Sequence, residues 1–241
     1  MATFVLVHGG WSGAHGFRLV RPPLRSAGHE VFTPSLTGVG ERVHLAHPLV
    51  DLTTHVHDAV NQVLYEDLRD IVLLGFSYGG FVVTGALDHL ADRVAHLVYL
   101  DAFVPADGDS VLGMLGASGT PAAVDPIGVG DDWLVAAPER RFDDPAEAAF
   151  AVPRRTPHPR GCFVEPVGLG QPLEAFPFSR TYIRATADDP GAPGASVFDG
   201  AAAHARTSPA WRYREIATNH MVASNRPAEL GALLLELVAP A

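Results

Sequence analysis

The stretch that decides the fold is IVLLGFSYGG, residues 71–80. An apolar run leads into a lone serine, Ser77, which has a glycine two positions away on each side, Gly75 and Gly79. A strand that turns sharply into a helix through one residue holds that residue in a strained backbone conformation, and its neighbours must be small. The pattern therefore predicts a strand, a tight turn and a helix, with the Ser77 hydroxyl raised at the carboxyl end of a sheet, where open α/β sheets bind ligands.

Strand and helix patterns alternate on both sides of this stretch. Short apolar and β-branched runs predict further strands at residues 3–7, 29–36, 96–103, 181–186 and 211–216. Helix-like spacing of apolar residues predicts helices at about residues 14–27, 51–69, 78–91 and 227–238. Such alternation is typical of an α/β fold in which a mostly parallel sheet is flanked by helices on both faces.

The alternation stops between residues 104 and 178. This segment is rich in proline, glycine and alanine, carries scattered aromatic residues, and is too long for an ordinary loop. We interpret it as an inserted cap, or lid. The predicted core then comprises residues 1–103 together with 179–241, and the cap insertion comprises residues 104–178.

Composition excludes several classes of function. The formal net charge is −10 and no basic run is present, so the electrostatic attraction that drives nucleic-acid binding is missing. The chain contains no lysine, which rules out Schiff-base chemistry on a lysine side chain. The single cysteine, Cys162, cannot form an internal disulfide, and no metal site is expected from the cysteine and histidine spacing.

The sequence predicts neither a leader nor a membrane span. The N-terminus enters a strand-like run almost at once, without the basic region of a signal peptide, so we expect a cytoplasmic protein. Residues 71–87 are uncharged and about as long as the shortest membrane helices, roughly 17 residues. Four glycines and a serine interrupt them, and a strand followed by a helix explains the same apolarity.

A serine hydroxyl becomes a useful nucleophile only when a base takes its proton and an acid orients that base. On this fold the partners follow in the chain order serine, acid, histidine. His220 lies in EIATNHMVASNRP, between the last predicted strand and the closing helix, and is the expected base. For the acid we favour Asp188, directly after the strand TYIRAT; Asp101 in YLDAF and Asp189 remain alternatives.

Two backbone N–H groups are needed to stabilise the negative oxygen that forms during acyl transfer. One normally belongs to the residue after the nucleophile, which here is Tyr78. The other is expected in the loop after the first strand, where HGGW places Gly10 directly after His8 and Gly9.

These residues resemble a known group. The segments FVLVHGGW, GFSYGG, YLDAFVP, YIRATADD and NHMVASNRPAEL occur in an order that is similar to the α/β-hydrolase superfamily. Within it they most resemble the small esterase branch of methylesterases, bacterial carboxylesterases and hydroxynitrile lyases. The resemblance implies that Ser77 is the nucleophile, His220 the base and Asp188 the acid, with Gly10 and Tyr78 as oxyanion donors.

The resemblance also implies a substrate pocket. Trp133 looks similar to a tryptophan of the family's cap that lines the pocket, and we add Trp11 and Phe76 as candidate pocket residues. Family members usually carry histidine where this chain has Phe76. The lyases of the branch use a lysine directly after the catalytic histidine, where this chain has Met221, so hydrolysis is favoured over lyase activity.

The leading hypothesis is therefore a serine carboxylesterase without cofactor or metal, acting on a small apolar or aromatic ester. Thioester or lactone hydrolysis, or a tailoring step on a natural product, would use the same triad and stays open. A ligand-binding or receptor module with vestigial turnover is the alternative of a different class. The expected partner is a small-molecule ester, with no nucleic acid and no membrane, and a homodimer is left open.

Overall fold

The computed structural model describes residues 1–116, 133–187 and 194–239. Six parallel strands form one sheet, in the order β2-β1-β3-β4-β7-β8. Its strands are β1 (Thr3–Val7), β2 (Glu30–Phe32), β3 (Ile71–Phe76), β4 (Val94–Leu100), β7 (Ser179–Ala185) and β8 (Arg212–Ile216). A separate antiparallel pair is formed by β5 (Leu134–Val135) and β6 (His158–Pro159). The expected mostly parallel sheet is confirmed.

Helices connect the strands and cover both faces of the sheet. The α-helices are α1 (Arg21–Ser26), α2 (Leu52–Tyr65), α3 (Gly79–Leu90), α4 (Val111–Leu115), α5 (Pro145–Ala151), α6 (Gly161–Val164), α7 (Ala195–Thr207), α8 (Val222–Asn225) and α9 (Pro227–Leu237). Short 3₁₀ turns lie at Ala14–Phe17, Gly40–Leu45, Ala91–Arg93, Val152–Arg154 and Leu173–Ala175. None of the helices within the described ranges is both long and apolar enough to cross a membrane.

Prolines shorten two of the predicted elements. The helix expected over residues 14–27 is a 3₁₀ turn followed by α1, because Pro22 and Pro23 lack the N–H that a continuous helix would need and fit only its first turn. The strand expected over residues 29–36 pairs only over Glu30–Phe32, ahead of Pro34, which cannot donate to a strand ladder.

The sheet is buried on both faces, as the unbroken apolar runs predict. Along β1, Phe4 and Leu6 point into one apolar cluster and Val5 and Val7 into the other, because successive side chains of a strand alternate. Helices α1 and α9 cover the first face, and α2, α3 and α7 cover the second. The sheet therefore forms a rigid platform whose carboxyl end carries the loops after β1, β3, β4 and β8.

The described part of the 104–178 segment packs onto the second face of the sheet. Cys162, Phe163, Val167 and Leu169 are all buried in the same apolar cluster as β3 and α3. The β5–β6 pair lies against the loop after β1, since the indole of Trp11 donates a hydrogen bond to the carbonyl of Val135 at 2.9 Å. This segment thus contributes to the core as well as covering the loop. Its treatment as a separate cap stays a prediction.

Gly80 tests the packing of α3, and Gly200 in α7 is its matched control. A Cβ on Gly80 would lie 2.0 Å from the carbonyl oxygen of Phe103, whereas a Cβ on Gly200 in α7 would meet nothing within 4 Å. We expect Gly80→Ala to lower the free energy of unfolding by about 1–3 kcal/mol through overpacking. Gly200→Ala should raise it by about 0.5–1 kcal/mol, because alanine favours the helix. Urea unfolding measures both; a Gly80→Ala variant as stable as the parent would contradict this packing.

Candidate active site

The turn from β3 into α3 holds Ser77 in the left-handed region, at φ 55°. The chain can follow this path only because its neighbours lack side chains. A Cβ on Gly75 would lie 2.5 Å from the carbonyl oxygen of Gly79, and a Cβ on Gly79 would lie 2.7 Å from that of Val7. Such distances are shorter than any real Cβ contact. The two glycines that flank the serine in sequence thus have a steric cause.

Ser77, His220 and Asp101 form a linear hydrogen-bonded array. The Oγ of Ser77 lies 2.9 Å from Nε2 of His220, and Nδ1 of His220 lies 2.6 Å from Oδ2 of Asp101. All three are buried, with exposed fractions of 8%, 5% and 0%. Because a carboxylate only accepts, Nδ1 carries the proton that is donated to Asp101. Nε2 is then free of a proton and accepts the hydroxyl of Ser77.

Asp101 lies directly after β4 in a left-handed conformation, at φ 41°. Its Oδ1 accepts hydrogen bonds from the guanidinium of Arg184 and from the amide of Ala185, the latter at 3.1 Å. Burial opposes the charged form, but the hydrogen bond and charge of His220, the Arg184 guanidinium and the Ala185 amide outweigh it and lower the pKa of Asp101. The carboxylate is therefore ionised at neutral pH.

The contact between His220 and Asp101 bears on the three candidate acids. Asp188, favoured from the sequence, and Asp189 both lie outside the described residues. Asp101, the alternative, lies against His220 and occupies the single N–H of Nδ1. In the structure the carboxylate beside His220 is that of Asp101, which the left-handed turn after β4 brings to the imidazole. Its role as the acid of a triad stays a prediction.

The imidazole of His220 packs against two phenylalanine rings. Phe198 from α7 stacks on it, with ring centres 5.2 Å apart and planes 7° apart, and Phe76 packs on it at 4.8 Å. Phe76 was expected in the pocket, and in the structure its ring contacts this histidine. Phe198 was not expected at the site, because the helix α7 that carries it gives no catalytic signal in sequence.

The two expected oxyanion donors lie next to the serine. Tyr78 precedes the first turn of α3, and the backbone after β1 passes so close that a Cβ on Gly9 would be 3.0 Å from that of Ser77. Among the described residues, no hydrogen bond uses the amide of Gly10 or that of Tyr78. Within the described part of the chain, both amides are therefore available to bind a ligand.

His8 anchors the loop that carries Gly10. Its Nδ1 donates to the carbonyl of Gly9 at 2.9 Å, and its Nε2 accepts from the amide of Leu36 at 3.2 Å. Burial lowers the pKa of His8 to about 4, so the neutral ring that this pair of bonds requires is the stable form. The motif HGGW was considered only for the Gly10 amide, and nothing in its pattern indicated this role for His8.

The two tryptophans predicted as pocket residues lie around the β5–β6 pair. The Trp11 ring packs on Phe163 with ring centres 5.2 Å apart, and the Trp133 carbonyl accepts a hydrogen bond from the Arg160 amide at 2.7 Å. Trp11 is thus tied to the 104–178 segment. The assignment of both residues to a substrate pocket stays a prediction.

Comparison with known proteins gives the family. A model described as "Alpha/beta hydrolase family" matches residues 4–233, nearly the whole chain. The chain belongs to the alpha/beta hydrolase family. The predicted superfamily and its fold are thereby confirmed.

The chain matches individual relatives over part of their length. It is 50% identical over 115 residues to a carbendazim hydrolyzing esterase of Nocardioides sp., which is 48% of each chain. It is 28% identical over 144 residues to Methylesterase 8 of Arabidopsis thaliana, or 54% of this chain and 46% of the relative. The alignments span about half the length of these relatives. A methylesterase crystal structure from Arabidopsis superposes with a TM-score of 0.77, covering 99% of both chains at 22% identity, which shows the shared fold.

A small cavity lies beside the array in this family member. Its lining includes Phe76 and Met221, which are the neighbours in sequence of Ser77 and His220, together with His8, Phe142 and Arg155. Its volume of ≈ 30 Å³ is far below the roughly 300–1,000 Å³ of small-molecule sites. This cavity therefore does not identify a substrate.

One buried group has the residue types of a metal site. Ligand atoms of His55, His158 and Cys162 lie within 4.8 Å of one another. Both ring nitrogens of His55 are in hydrogen bonds, Nδ1 with the Tyr78 hydroxyl at 3.0 Å and Nε2 with the Thr37 carbonyl at 2.7 Å. Burial raises the pKa of the Cys162 thiol well above its ordinary value, whereas a metal binds the thiolate. The group is better suited to hydrogen bonding than to holding a cation.

His55 gives a prediction for stability against pH. Burial lowers its pKa to about 4, so its contribution to stability is complete above the unfolded value of 6.5 and is lost as the pH falls towards 4, because the unfolded chain binds the proton first. We expect His55→Gln, whose amide N–H can still reach the Thr37 carbonyl, to flatten this dependence. Between pH 4.5 and 6 the free energy of unfolding should change less steeply, by about 1.4 kcal/mol per pH unit.

Urea unfolding at several pH values measures this slope. Exposed His44 supplies the matched control, since His44→Gln should leave the slope unchanged. An unchanged slope in His55→Gln would mean that His55 is charged in the folded protein.

Proposed function

We propose that this protein is a serine carboxylesterase that hydrolyses a small apolar or aromatic ester through the triad Ser77, His220 and Asp101. The observation that carries the proposal is the array itself, with contacts of 2.9 Å and 2.6 Å, on a strained turn whose serine lies at φ 55°. A serine in a structural turn needs no base, and a buried histidine needs no ionised acid. Their combination fits nucleophilic catalysis.

The first half of the reaction forms an acyl-enzyme. Ser77 Oγ attacks the ester carbonyl carbon as its proton passes to Nε2 of His220, and the resulting imidazolium is stabilised by the ionised carboxylate of Asp101. The negative charge on the carbonyl oxygen is met by the amides of Gly10 and Tyr78. His220 then gives the proton to the leaving alkoxide, so the alcohol departs and the acyl group stays on Oγ.

The second half repeats these steps with water. His220, again neutral, takes a proton from a water molecule whose oxygen attacks the acyl carbon. The same two amides stabilise the second negative intermediate. Its collapse releases the carboxylic acid and returns the proton to Ser77. No cofactor or metal takes part in this proposal.

The substrate class rests on the surroundings of the triad and on the relatives. Phe76 and Phe198 border the imidazole, and apolar residues dominate the adjoining core. The relatives named above include a carbendazim hydrolyzing esterase and a methylesterase, whose names denote ester hydrolysis. In this proposal residues 104–178 form the cap over the site. A cytoplasmic location and a homodimer stay predictions.

Hydrolysis of p-nitrophenyl esters from short to long acyl chains tests the activity. We expect turnover by the parent and a fall of about 10⁵–10⁶-fold in kcat for Ser77→Ala, because the triad loses its nucleophile. Ser208→Ala is the matched control, since Ser208 lies at the end of α7 and bonds Glu174. A fluorophosphonate label on Ser77 without turnover would point to a binding module; turnover that survives Ser77→Ala would contradict the mechanism.

The acid is tested by three Asp→Asn variants. Asp101→Asn should lower kcat by about 10⁴-fold, because an amide cannot hold the imidazole in the required tautomer. Asp199→Asn is the control, since Asp199 bonds the other side of Arg184 at 2.8 Å and does not reach His220 in this structure. Asp188→Asn should also keep most activity. Loss of activity in Asp188→Asn with retention in Asp101→Asn would return the role to Asp188.

A further inference from the structure

Three hydrogen bonds fix the residue that follows Gly10. Trp11 is in the left-handed region, at φ 58°, which is unusual for a bulky side chain. Its amide donates to Nδ1 of His158 at 3.1 Å, its carbonyl accepts from the amide of Thr156 at 3.3 Å, and its indole donates to the carbonyl of Val135. All three partners belong to the 104–178 segment. The 104–178 segment therefore holds the loop after β1 at the backbone of Trp11 as well as at its side chain.

His158 is attached to this loop by a single hydrogen bond. The side chain is fully buried on β6, and its ring stacks on Phe163 with centres 4.5 Å apart and planes 11° apart. Its Nε2 has no hydrogen-bond partner among the described residues. A phenylalanine would fill the same space without burying an unpaired nitrogen, so packing alone does not account for an imidazole here.

The bond to Trp11 also fixes the state of the ring. Since the amide donates, Nδ1 must carry a lone pair and the proton must be on Nε2. Burial, together with the nearby His55 and His8, lowers the pKa of His158 well below its ordinary value. The imidazole is neutral at working pH, and the acceptor at Nδ1 is always present.

The same ring lies against the second oxyanion donor. Tyr78 meets His158 edge to face, with ring centres 4.9 Å apart, and the Tyr78 hydroxyl is paired with His55 Nδ1 at 3.0 Å. His158 therefore contacts Tyr78 through its ring and the residue after Gly10 through its nitrogen. These are the two places from which the proposed oxyanion amides come.

We propose that His158 is a positioning residue for the oxyanion hole. By accepting the Trp11 amide, it fixes the peptide plane that follows Gly10, while His8 holds the preceding plane through the Gly9 carbonyl. With both planes held, the Gly10 N–H keeps its direction towards the developing negative oxygen. This inference rests on the proposed esterase function. It assigns to the 104–178 segment a role in the rate of the reaction, through a contact that spans 147 positions of the chain.

A set of three substitutions separates positioning from packing. Asn places an oxygen near the position of Nδ1 and keeps the acceptor, Gln places its polar group near Nε2, and Phe keeps the ring but has no acceptor. We expect His158→Phe and His158→Gln to lower kcat by about 10- to 100-fold with KM within about 3-fold, since a misaligned donor loses part of the 10²–10³-fold effect of its removal. His158→Asn should stay within about 5-fold of the parent.

A transition-state analogue supplies the second readout. The inhibition constant of a boronic acid, which forms a tetrahedral adduct on Ser77, should rise in His158→Phe by the same factor as kcat falls. Thermal unfolding shows that the variants compared are folded. If His158→Phe does not fold, the polar pair His158→Asn and His158→Gln makes the same comparison. Equal kcat in these two variants, or undiminished kcat in His158→Phe, overturns the inference.

Hydrogen exchange of the Trp11 amide keeps this test separate from the proposed function. The amide should exchange slowly in the parent and in His158→Asn and faster in His158→Phe, whether or not the protein hydrolyses the esters supplied. If the parent shows no turnover, the result counts against the esterase function. The exchange rate of the Trp11 amide then tests the role of His158 by itself. Equal exchange in all three proteins would overturn it.

Discussion

The structure depends on the close approach of three chain segments at the turn after β3. The first turn of α3 has no room for a side chain on either side: Gly79 faces the carbonyl of Val7 and Gly80 faces that of Phe103. Because these contacts are backbone to backbone, the ends of β1, β3 and β4 are fixed relative to one another with little freedom. Gly10, Ser77 and Asp101 follow these three strands. The reactive geometry is thus set by the sheet, and side-chain packing only completes it.

Charge at the centre of the molecule is shared over several groups. Asp101 is fully buried and bonds His220 on one oxygen and Arg184 on the other. Arg184 in turn bonds Asp199, whose side chain is largely exposed. Removing one member of such a buried group leaves another charge unpaired, which is costly in a low-dielectric interior. The pairing of Arg184 with two carboxylates leaves a net negative group beside the histidine, which suits the proposed role of His220 as a base that becomes positive.

The sequence was sufficient for the fold and for the pairing of Ser77 with His220, because both depend on local pattern. The glycine spacing around Ser77 reflects a steric need, and His220 is located by its place between the last strand and the closing helix. Asp101 was ranked second because the acid was expected after the strand TYIRAT, and the left-handed turn that brings the Asp101 carboxylate to His220 does not show in the pattern YLDAF. His158, Phe198 and the second bond of Arg184 act through contacts between distant parts of the chain, which one sequence does not reveal.

The two phenylalanines that pack on His220 affect the free energy of the imidazolium that the proposed mechanism forms. The face of an aromatic ring carries partial negative charge, and a cation placed over it is attracted. When His220 holds both protons, its positive ring contacts the rings of Phe76 and Phe198, the latter in a nearly parallel stack. The two apolar side chains would thus stabilise the positive charge of the imidazolium. The same packing restricts rotation of the imidazole, so that in the proposed mechanism the base would meet each new substrate in the orientation in which it released the last.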